Sequence, residues 1–207
     1  MIYFVNQMEK EIKKSPSVMA GKEHPLSILA NRAYDIFSSL GFEIAVGPEL
    51  ESEWYNFDVL NVSKDHPARD MQDTFFIKDQ KEKVLRTHTT NVSARAIEKA
   101  SKEGRIPCAF ISIGKVFRNE ATDSTHETQF FQIDGTMIGE DIKFKDQWLE
   151  VMGAGMLHPN VLKNVGLDPK KIRGFAFGGG LDRIAMVKWN ISDVRLFYQG
   201  DLRLNQF

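Results

Sequence analysis

Residues 117–135, FRNEATDSTHETQFFQIDG, set Arg118 two positions before Glu120, pass through a polar loop and return through a second segment of aromatic and polar side chains. In an extended chain successive side chains alternate, so Arg118 and Glu120 share one face, about 7 Å apart, with Phe117 and Asn119 on the other. The same alternation puts Phe130, Gln132 and Asp134 on one face of the returning segment and Phe131, Ile133 and Met137 on the opposite one. The second set can pack against a core; the first can bind. A guanidinium pairs with phosphate, a ring stacks on a planar base and a carboxylate takes an amine, so the set suits a nucleotide or an amino acid. On their own, Arg118 and Glu120 are more simply read as a surface hairpin ion pair worth under ~1 kcal/mol.

FGGGLDR, residues 177–183, is a second candidate, because glycines between a strand and a helix let a ligand approach the backbone closely. It is not a P-loop, which needs a Lys-Ser/Thr pair after the glycines. As a dinucleotide fingerprint it fits only in part: Gly178 and Gly180 occupy the first two positions and Arg183 stands in place of the third glycine. Arg183 falls in the first turn of a helix whose Ile184, Ala185 and Val187 can pack, leaving the guanidinium to face the glycine floor. His24, His66, His88, His126 and His158 show no metal-ligand spacing, and no serine sits in a nucleophile-elbow sequence. His88 in RTHT and His126 in STHET lie among hydroxyls, where each can donate to phosphate or face solvent.

The elements that must position these residues mix helices with hairpins. HPLSILANRAYDIFSSLGF places Leu26, Leu29, Ala33, Ile36, Phe37 and Leu40 near a 3.6-residue period, with Pro25 in the first turn and Gly41 at the end. FEIAVGPELES reads as a strand broken at Gly47-Pro48, and TFFI as a short strand. Asn91 is the expected cap of a helix that turns Val92, Ala96 and Ile97 inward and runs to Gly104. PCAFISIGKVFRNE and TQFFQIDGTMIG are strands, WLEVMGAGM another, NVLKNVG a short helix, GFAFGG a strand and LDRIAMVKW a helix. Long helical crossovers between successive strands are mostly missing, so the pattern predicts an antiparallel α+β domain.

Bulk properties narrow the class. With 27 basic and 28 acidic residues among 207, the chain is not one that grips nucleic acid through phosphates alone. Cys108 is the single cysteine, which rules out an intrachain disulfide and is expected as a buried thiol in a cytoplasmic protein. No apolar run reaches a membrane span, and MIYFVNQMEKEIKK is too short and too early charged for a signal peptide. Residues 1–23 are expected as a short arm and residues 24–207 as one catalytic-type domain.

Together these segments resemble the class II aminoacyl-tRNA synthetases, and in particular the α-subunit family of phenylalanyl-tRNA synthetase. GFEIAVGPELESEWYNFDVLN is similar to motif 1, with Pro48 as its proline. KDHPARDMQDTFF and LRTHTT resemble segments specific to the phenylalanyl family, and FRNEATDSTHETQFFQIDG resembles motif 2. WLEVMGAGMLHPNVLKNVG, GFAFGGGLDR and DLRLNQF resemble motif 3 and the family's carboxyl end, so the likeness runs from His24 to Phe207.

The resemblance implies an antiparallel sheet flanked by helices and a ligase that activates phenylalanine with ATP and Mg²⁺ and passes it to tRNA(Phe). It implies a heterotetramer with a β subunit, joined through the motif 1 region. Arg118 would hold the α-phosphate, Glu120 the adenine amine and Phe130 the adenine ring, with His126 and Arg183 on the outer phosphates. Arg118 and Arg183 would be the catalytic pair. His88, Thr90, Gln132 and Asp134 would bind the amino acid, Ala176 would line its ring pocket, and Glu150 would be a Mg²⁺ ligand. The alternative left open is a paralog that binds nucleotide, adenylate or a partner subunit without charging tRNA.

Three departures from the family stand out. The family usually has glutamate at Asp134 and often serine at Thr90. Where the family has a long helical arm for tRNA, only a short lead is expected before His24. Between IGEDIKF and KDQWLEVMG, just before Trp148, the family carries several dozen residues, including a strand with a Phe-Pro-Phe element that clamps the ring. Without that strand, its neighbours must pair across the gap or leave unsatisfied edges.

Overall fold

The computed structural model describes residues 22–69, 73–80, 82–142 and 152–206. The expected arm therefore lies, but for residues 22 and 23, outside the described residues. Helix α1 (Pro25–Ser39) starts where proline needs no N–H, and His24 caps it by accepting from the Leu26 amide. Strands β1 (Glu43–Ile44) and β2 (Leu50–Ser52) flank Gly47-Pro48 and enter different sheets. The short helix α2 (Glu53–Asn56) follows. β3 (Lys83–Leu85) pairs antiparallel with β2, and α3 (Thr90–Lys102) leads to the long strands β4 (Cys108–Phe117) and β5 (Gln129–Gly139). Beyond them come β6 (Gly153–Met156), α4 (Pro159–Asn164), β7 (Arg173–Gly180) and α5 (Leu181–Trp189).

Five strands form one continuous sheet in the order β1-β4-β5-β7-β6. Every pairing in it is antiparallel except the short parallel contact of β1 with β4. This is the α+β architecture expected from the hairpin pattern. β5 pairs with β7 and β7 with β6, so no gap interrupts the sheet, and β6 is its edge.

The pleat sorts the side chains. Ile111, Ile113, Phe131, Ile133, Met137 and Phe177 point to the face covered by α1 and α5, where Leu26, Phe37, Phe42, Leu181 and Ala185 complete two apolar clusters. Phe110 and Ile138 point the other way, against Ala94, Ile97 and Ala100 of α3. Helix α3 covers only part of that second face; the remainder carries the clefts described below. The helix is tied to β2 by a bidentate pair in which the fully buried Glu51 accepts from Arg95 Nε at 2.8 Å and Nη2 at 2.6 Å. Burial pushes the Glu51 carboxyl up, but the hydrogen bonds from Arg95 and the Ser52 amide outweigh it and hold the group below the usual range. Removing the arginine would leave the buried Glu51 carboxylate without its cation.

Several sequence expectations are corrected. Helix α3 begins at Thr90 behind Thr89, and Asn91 is no cap: it lies within the helix, buried, with its amide donating to Asn56 Oδ1. In TFFI only Phe76 forms a bridge, to Val84. Ile36, Leu40 and Val187 do not face inward; all three are exposed, because the sheet covers a narrower stripe of each helix than the apolar period suggests. Cys108 is half-buried, and its thiol is pushed up to about 11, chiefly by burial. β4 ends at Phe117, so Arg118 and Glu120 do not sit in a strand. They lie in the loop beyond it, where only the Arg118 amide continues the pairing, to Thr128.

Gly135 shows how tightly the α1 face is filled. A Cβ there would lie 2.2 Å from the Phe177 ring, which stacks on Phe37 at 5.1 Å and Phe175 at 6.3 Å and meets Phe42 edge-on. The ring cannot retreat without displacing its neighbours. Gly135→Ala is expected to cost about 1–3 kcal/mol. Thermal unfolding would read this as a drop of roughly 2–10 °C, with the far-UV spectrum unchanged.

Candidate active site

Two clefts lie side by side on the open face, and β5 lines both. The first is walled by Arg118, Glu120, His126, Glu127, Phe130 and Arg183 over a floor at Gly180 and Asp182. All five residues assigned to a nucleotide by sequence, Arg118, Glu120, His126, Phe130 and Arg183, therefore meet in one place. The Arg118 guanidinium lies 5.0 Å from the centre of the Phe130 ring and 3.9 Å from Glu120, and its Nε donates to Thr87 O at 3.4 Å. His126 Nδ1 is 3.0 Å from Asp123, whose carboxylate also takes the Thr125 and His126 amides. Those bonds hold Asp123 far below the usual carboxylate range.

Arg183 reaches the cleft because Asp182 fixes the start of α5. Asp182 is buried, accepts from the Phe131 amide at 2.7 Å and from the Tyr198 hydroxyl, and is pushed up to about 6 by burial. One carboxylate thus joins α5, β5 and the carboxyl-terminal turns.

The second cleft is lined by Thr90, Gln132, Asp134, Ala176 and Gly178, with Gly153 to His158 along one side and Leu60 and Val161 above. The register explains its depth: Gly153 stands opposite Gly178, Gly155 opposite Ala176, and Gly178 opposite Asp134, so the floor is built from the smallest side chains. A Cβ at Gly178 would sit 3.1 Å from Ile133 O and 3.3 Å from Asp134 Oδ2. Asp134 Oδ2 accepts from Thr90 Oγ1 at 2.9 Å and Oδ1 from Ser93 Oγ at 2.6 Å. Among the described residues no cation pairs with it, and burial pushes it up to about 6.

Four of the five residues assigned to the amino acid, Thr90, Gln132, Asp134 and Ala176, line this cleft. His88 does not. Its Nε2–H donates to Asn56 O at 2.9 Å, its Nδ1 is buried without a partner, and burial pushes the ring down to about 4, so it is neutral. Glu150 lies outside the described residues. Among the described residues no group of three or more His, Cys, Asp or Glu is placed to hold a metal.

Sequence reasoning missed three contributors. Ser93 is one turn beyond Thr90 on α3, a spacing that becomes visible once the helix start is placed at Thr90 rather than after Asn91. Arg86 is buried and donates to Lys115 O at 2.7 Å and Gly47 O at 3.0 Å, tying the Gly47-Pro48 turn to β4. Asn56 is fully buried against the same loop. Neither long-range partner carries a local signal.

Comparison with known proteins places this geometry. The family described as tRNA synthetases class II core domain (F) matches residues 8–147 and 145–207. The phenylalanine–tRNA ligase α subunit of Christiangramia forsetii is 38% identical, covering 98% of this chain and 76% of that one. That of Lysinibacillus sphaericus is 40% identical over 92% of this chain and 70% of its own. The chain belongs to the phenylalanine–tRNA ligase α-subunit family. A solved pyrrolysyl-tRNA synthetase from Desulfitobacterium hafniense has the same fold, with a TM-score of 0.68, 15% identity, and coverage of 94% of this chain and 80% of that one.

The comparison also bears on the internal join. The alignment to the C. forsetii subunit spans 260 positions for 98% of a 207-residue chain, so several dozen of that relative's positions have no counterpart here. The two class II matches meet at residues 145–147. The join itself lies outside the described residues; the strand that follows it is β6, along the second cleft.

Asp134 gives this α-subunit relative a pH signature. Its folded pKa of about 6 lies above the usual 3.8, so the native chain retains a proton that the unfolded chain loses. Stability from this group is therefore full below about pH 4 and falls as pH rises to about 6. Asp134→Asn keeps the shape without the titration, and urea unfolding across pH 4 to 7 should show a shallower decline, with the Asp182 share remaining.

Proposed function

We propose that this chain is the catalytic α-subunit domain, residues 24–207, of a phenylalanine–tRNA ligase, which activates phenylalanine with ATP to phenylalanyl-adenylate and passes it to tRNA(Phe). The observation that carries the reading is the pair of clefts sharing one face of β5: Phe130 lines the first, while Gln132 and Asp134 line the second. Phe130 and Asp134 are four residues apart along one strand, about 13 Å, which leaves room for a ligand with a planar base at one end and an ammonium at the other.

In this reading the substrate carboxylate oxygen attacks the α-phosphorus of ATP. A new P–O bond forms, the bond from that phosphorus to the bridging oxygen breaks, and pyrophosphate leaves with the electron pair. No side-chain nucleophile is needed. The protein's task is to hold two like-charged reactants in line and to place cations where charge accumulates. Arg118 takes the α-phosphate, and Arg183 and His126 take the outer phosphates. Phe130 stacks on the adenine and Glu120 accepts from its amine. In the neighbouring cleft Asp134, fixed by Thr90 and Ser93, meets the substrate ammonium, Gln132 orients the carboxylate end, and Ala176 leaves room for the ring. His88 supports this wall from beneath.

Mg²⁺ binds oxygen, commonly one or two carboxylates together with substrate phosphates. Of the carboxylates lining the first cleft, Glu120 is assigned to the adenine and Asp182 is spent on the Phe131 amide and the Tyr198 hydroxyl, which leaves Glu127 to fit that requirement in kind; Mg²⁺ would add positive charge to the phosphates. The β subunit and tRNA(Phe) are proposed partners. Exposed apolar side chains at Leu40, Ile44, Val46, Leu50 and Trp54, with Val46 85% exposed, support a subunit interface in the motif 1 region. No helix among the described residues is long and apolar enough to cross a membrane; a cytoplasmic location is proposed with the ligase reading.

Phenylalanine-dependent exchange of pyrophosphate into ATP, measured on the chain combined with a β subunit, tests the reading. Exchange is expected in the parent, and Arg118→Ala should lower it by about 10²–10³-fold. The arginine is 40% exposed and outside the core, so the variant's thermal transition should stay in place. A folded parent that binds ATP without phenylalanine-dependent exchange would overturn the proposal.

A further inference from the structure

The loop Arg86–Thr90 is a strap across the site. On one side it touches the functional residues: Thr87 O accepts from Arg118 Nε, the Thr89 amide donates to Gln132 Oε1 at 3.3 Å, and Thr90 Oγ1 donates to Asp134. On the other side it meets Asn56, the last residue of α2, which is fully buried. Asn56 Oδ1 accepts from the Thr87 amide and from Asn91 Nδ2, each at 3.2 Å, and its Nδ2 donates to Thr87 Oγ1 at 3.1 Å. Its backbone carbonyl takes the His88 Nε2–H. Four hydrogen bonds thus join one residue to two strap residues, Thr87 and His88, and to Asn91 in the first turn of α3.

We infer that Asn56 is a positioning residue for aminoacyl activation, acting through the strap to set Gln132 and Asp134 for the amino acid. This inference rests on the ligase reading above. The carboxamide is suited to the post because it accepts twice and donates once at a buried point. A hydrophobic residue satisfies none of these side-chain contacts, and an aspartate lacks the amide donor that reaches Thr87 Oγ1. The link is uneven across the two clefts. Gln132 and Asp134 are each bonded directly to the strap, whereas Arg118 is linked by a single contact of 3.4 Å. Loss of Asn56 should therefore weaken the amino-acid side more than the nucleotide side. This is a distinction that general loss of stability does not produce.

Asn56→Leu keeps the volume and removes the side-chain hydrogen bonds. Thr87→Val removes only the hydroxyl contact and serves where the first variant does not fold. Steady-state exchange kinetics on the chain with its β subunit should show KM for phenylalanine raised about tenfold or more in Asn56→Leu, the size expected from one net hydrogen bond at about 1.4 kcal/mol. KM for ATP should change by less than about threefold, and Thr87→Val should follow the same pattern at about two- to fourfold. Amide hydrogen exchange should speed up at Thr87 and Thr89 while the β4–β5 ladder stays protected. Equal changes in both KM values with protection lost throughout would reduce Asn56 to a structural residue and overturn the inference. So would a loosened strap with an unchanged KM for phenylalanine. A parent without phenylalanine-dependent exchange would instead overturn the ligase reading, and the positioning role with it.

Discussion

The antiparallel ladder between β4 and β5, running from Cys108 opposite Ile138 to Phe117 opposite Gln129, is the constraint on which the rest of the molecule depends. Side chains along it alternate with a period of two, so its register decides which residues are core and which are site. A slip of one position would turn Gln132 and Asp134 into the apolar layer beneath α1 and α5 and push Phe131 and Ile133 into the clefts. Both exchanges are costly, since each buries unmatched polar atoms and exposes large apolar ones. The fold and the site are therefore fixed by one register, and β7, paired with β5 from Gln132 to Gly139, inherits it.

Above that ladder the site is held by buried polar groups, each with a different account of its stability. Glu51 has a bidentate arginine and stays ionised. Asp134 and Asp182 have only hydroxyl or amide donors and are pushed toward the neutral form. For Asp182 that is a matter of joining three elements. For Asp134, in a cleft, the unmatched charge favours a cation, and in the ligase reading proposed above the substrate ammonium would be that partner. The same burial that weakens the free carboxylate strengthens the ion pair it makes once water is excluded.

How far the sequence carried the reading depends on the range of each signal. The period-two pattern from Phe130 to Met137 separates the cleft face from the core face as the structure does, because it is local. The clustering of Arg118, Glu120, His126, Phe130 and Arg183 needed the family resemblance, since Arg183 lies on another element some fifty residues on. Asn91 was misread because asparagine before an apolar run signals a cap, whereas here its amide is spent on Asn56 across the core. Ile36 and Leu40 share the apolar period of their helix, and Val187 was expected to pack, yet all three are exposed, because apolar periodicity marks a helix face without saying what covers it. His88 was placed in the ligand set by motif position, and only the packing shows its ring turned to the Asn56 carbonyl.

The two clefts differ in how their walls are made, and this governs what the absent segment affects. The first cleft is built from β5, the loop from Arg118 to Glu127, and the β7-to-α5 turn. The second has β5, β7 and the strap on three sides, but its remaining side is β6, a four-residue edge strand of glycine, alanine and methionine that follows the join. Apolar walls discriminate side chains by only about 1–3 kcal/mol per methylene even when complete. In the ligase reading proposed above, the missing residues lie next to that edge and leave the groups proposed for phosphate, ammonium and adenine in place, so their absence bears on the choice of side chain more than on activation. The two would be separable because β5, central in the sheet, carries the proposed ligand groups while the edge strand β6 lines the open side of the second cleft.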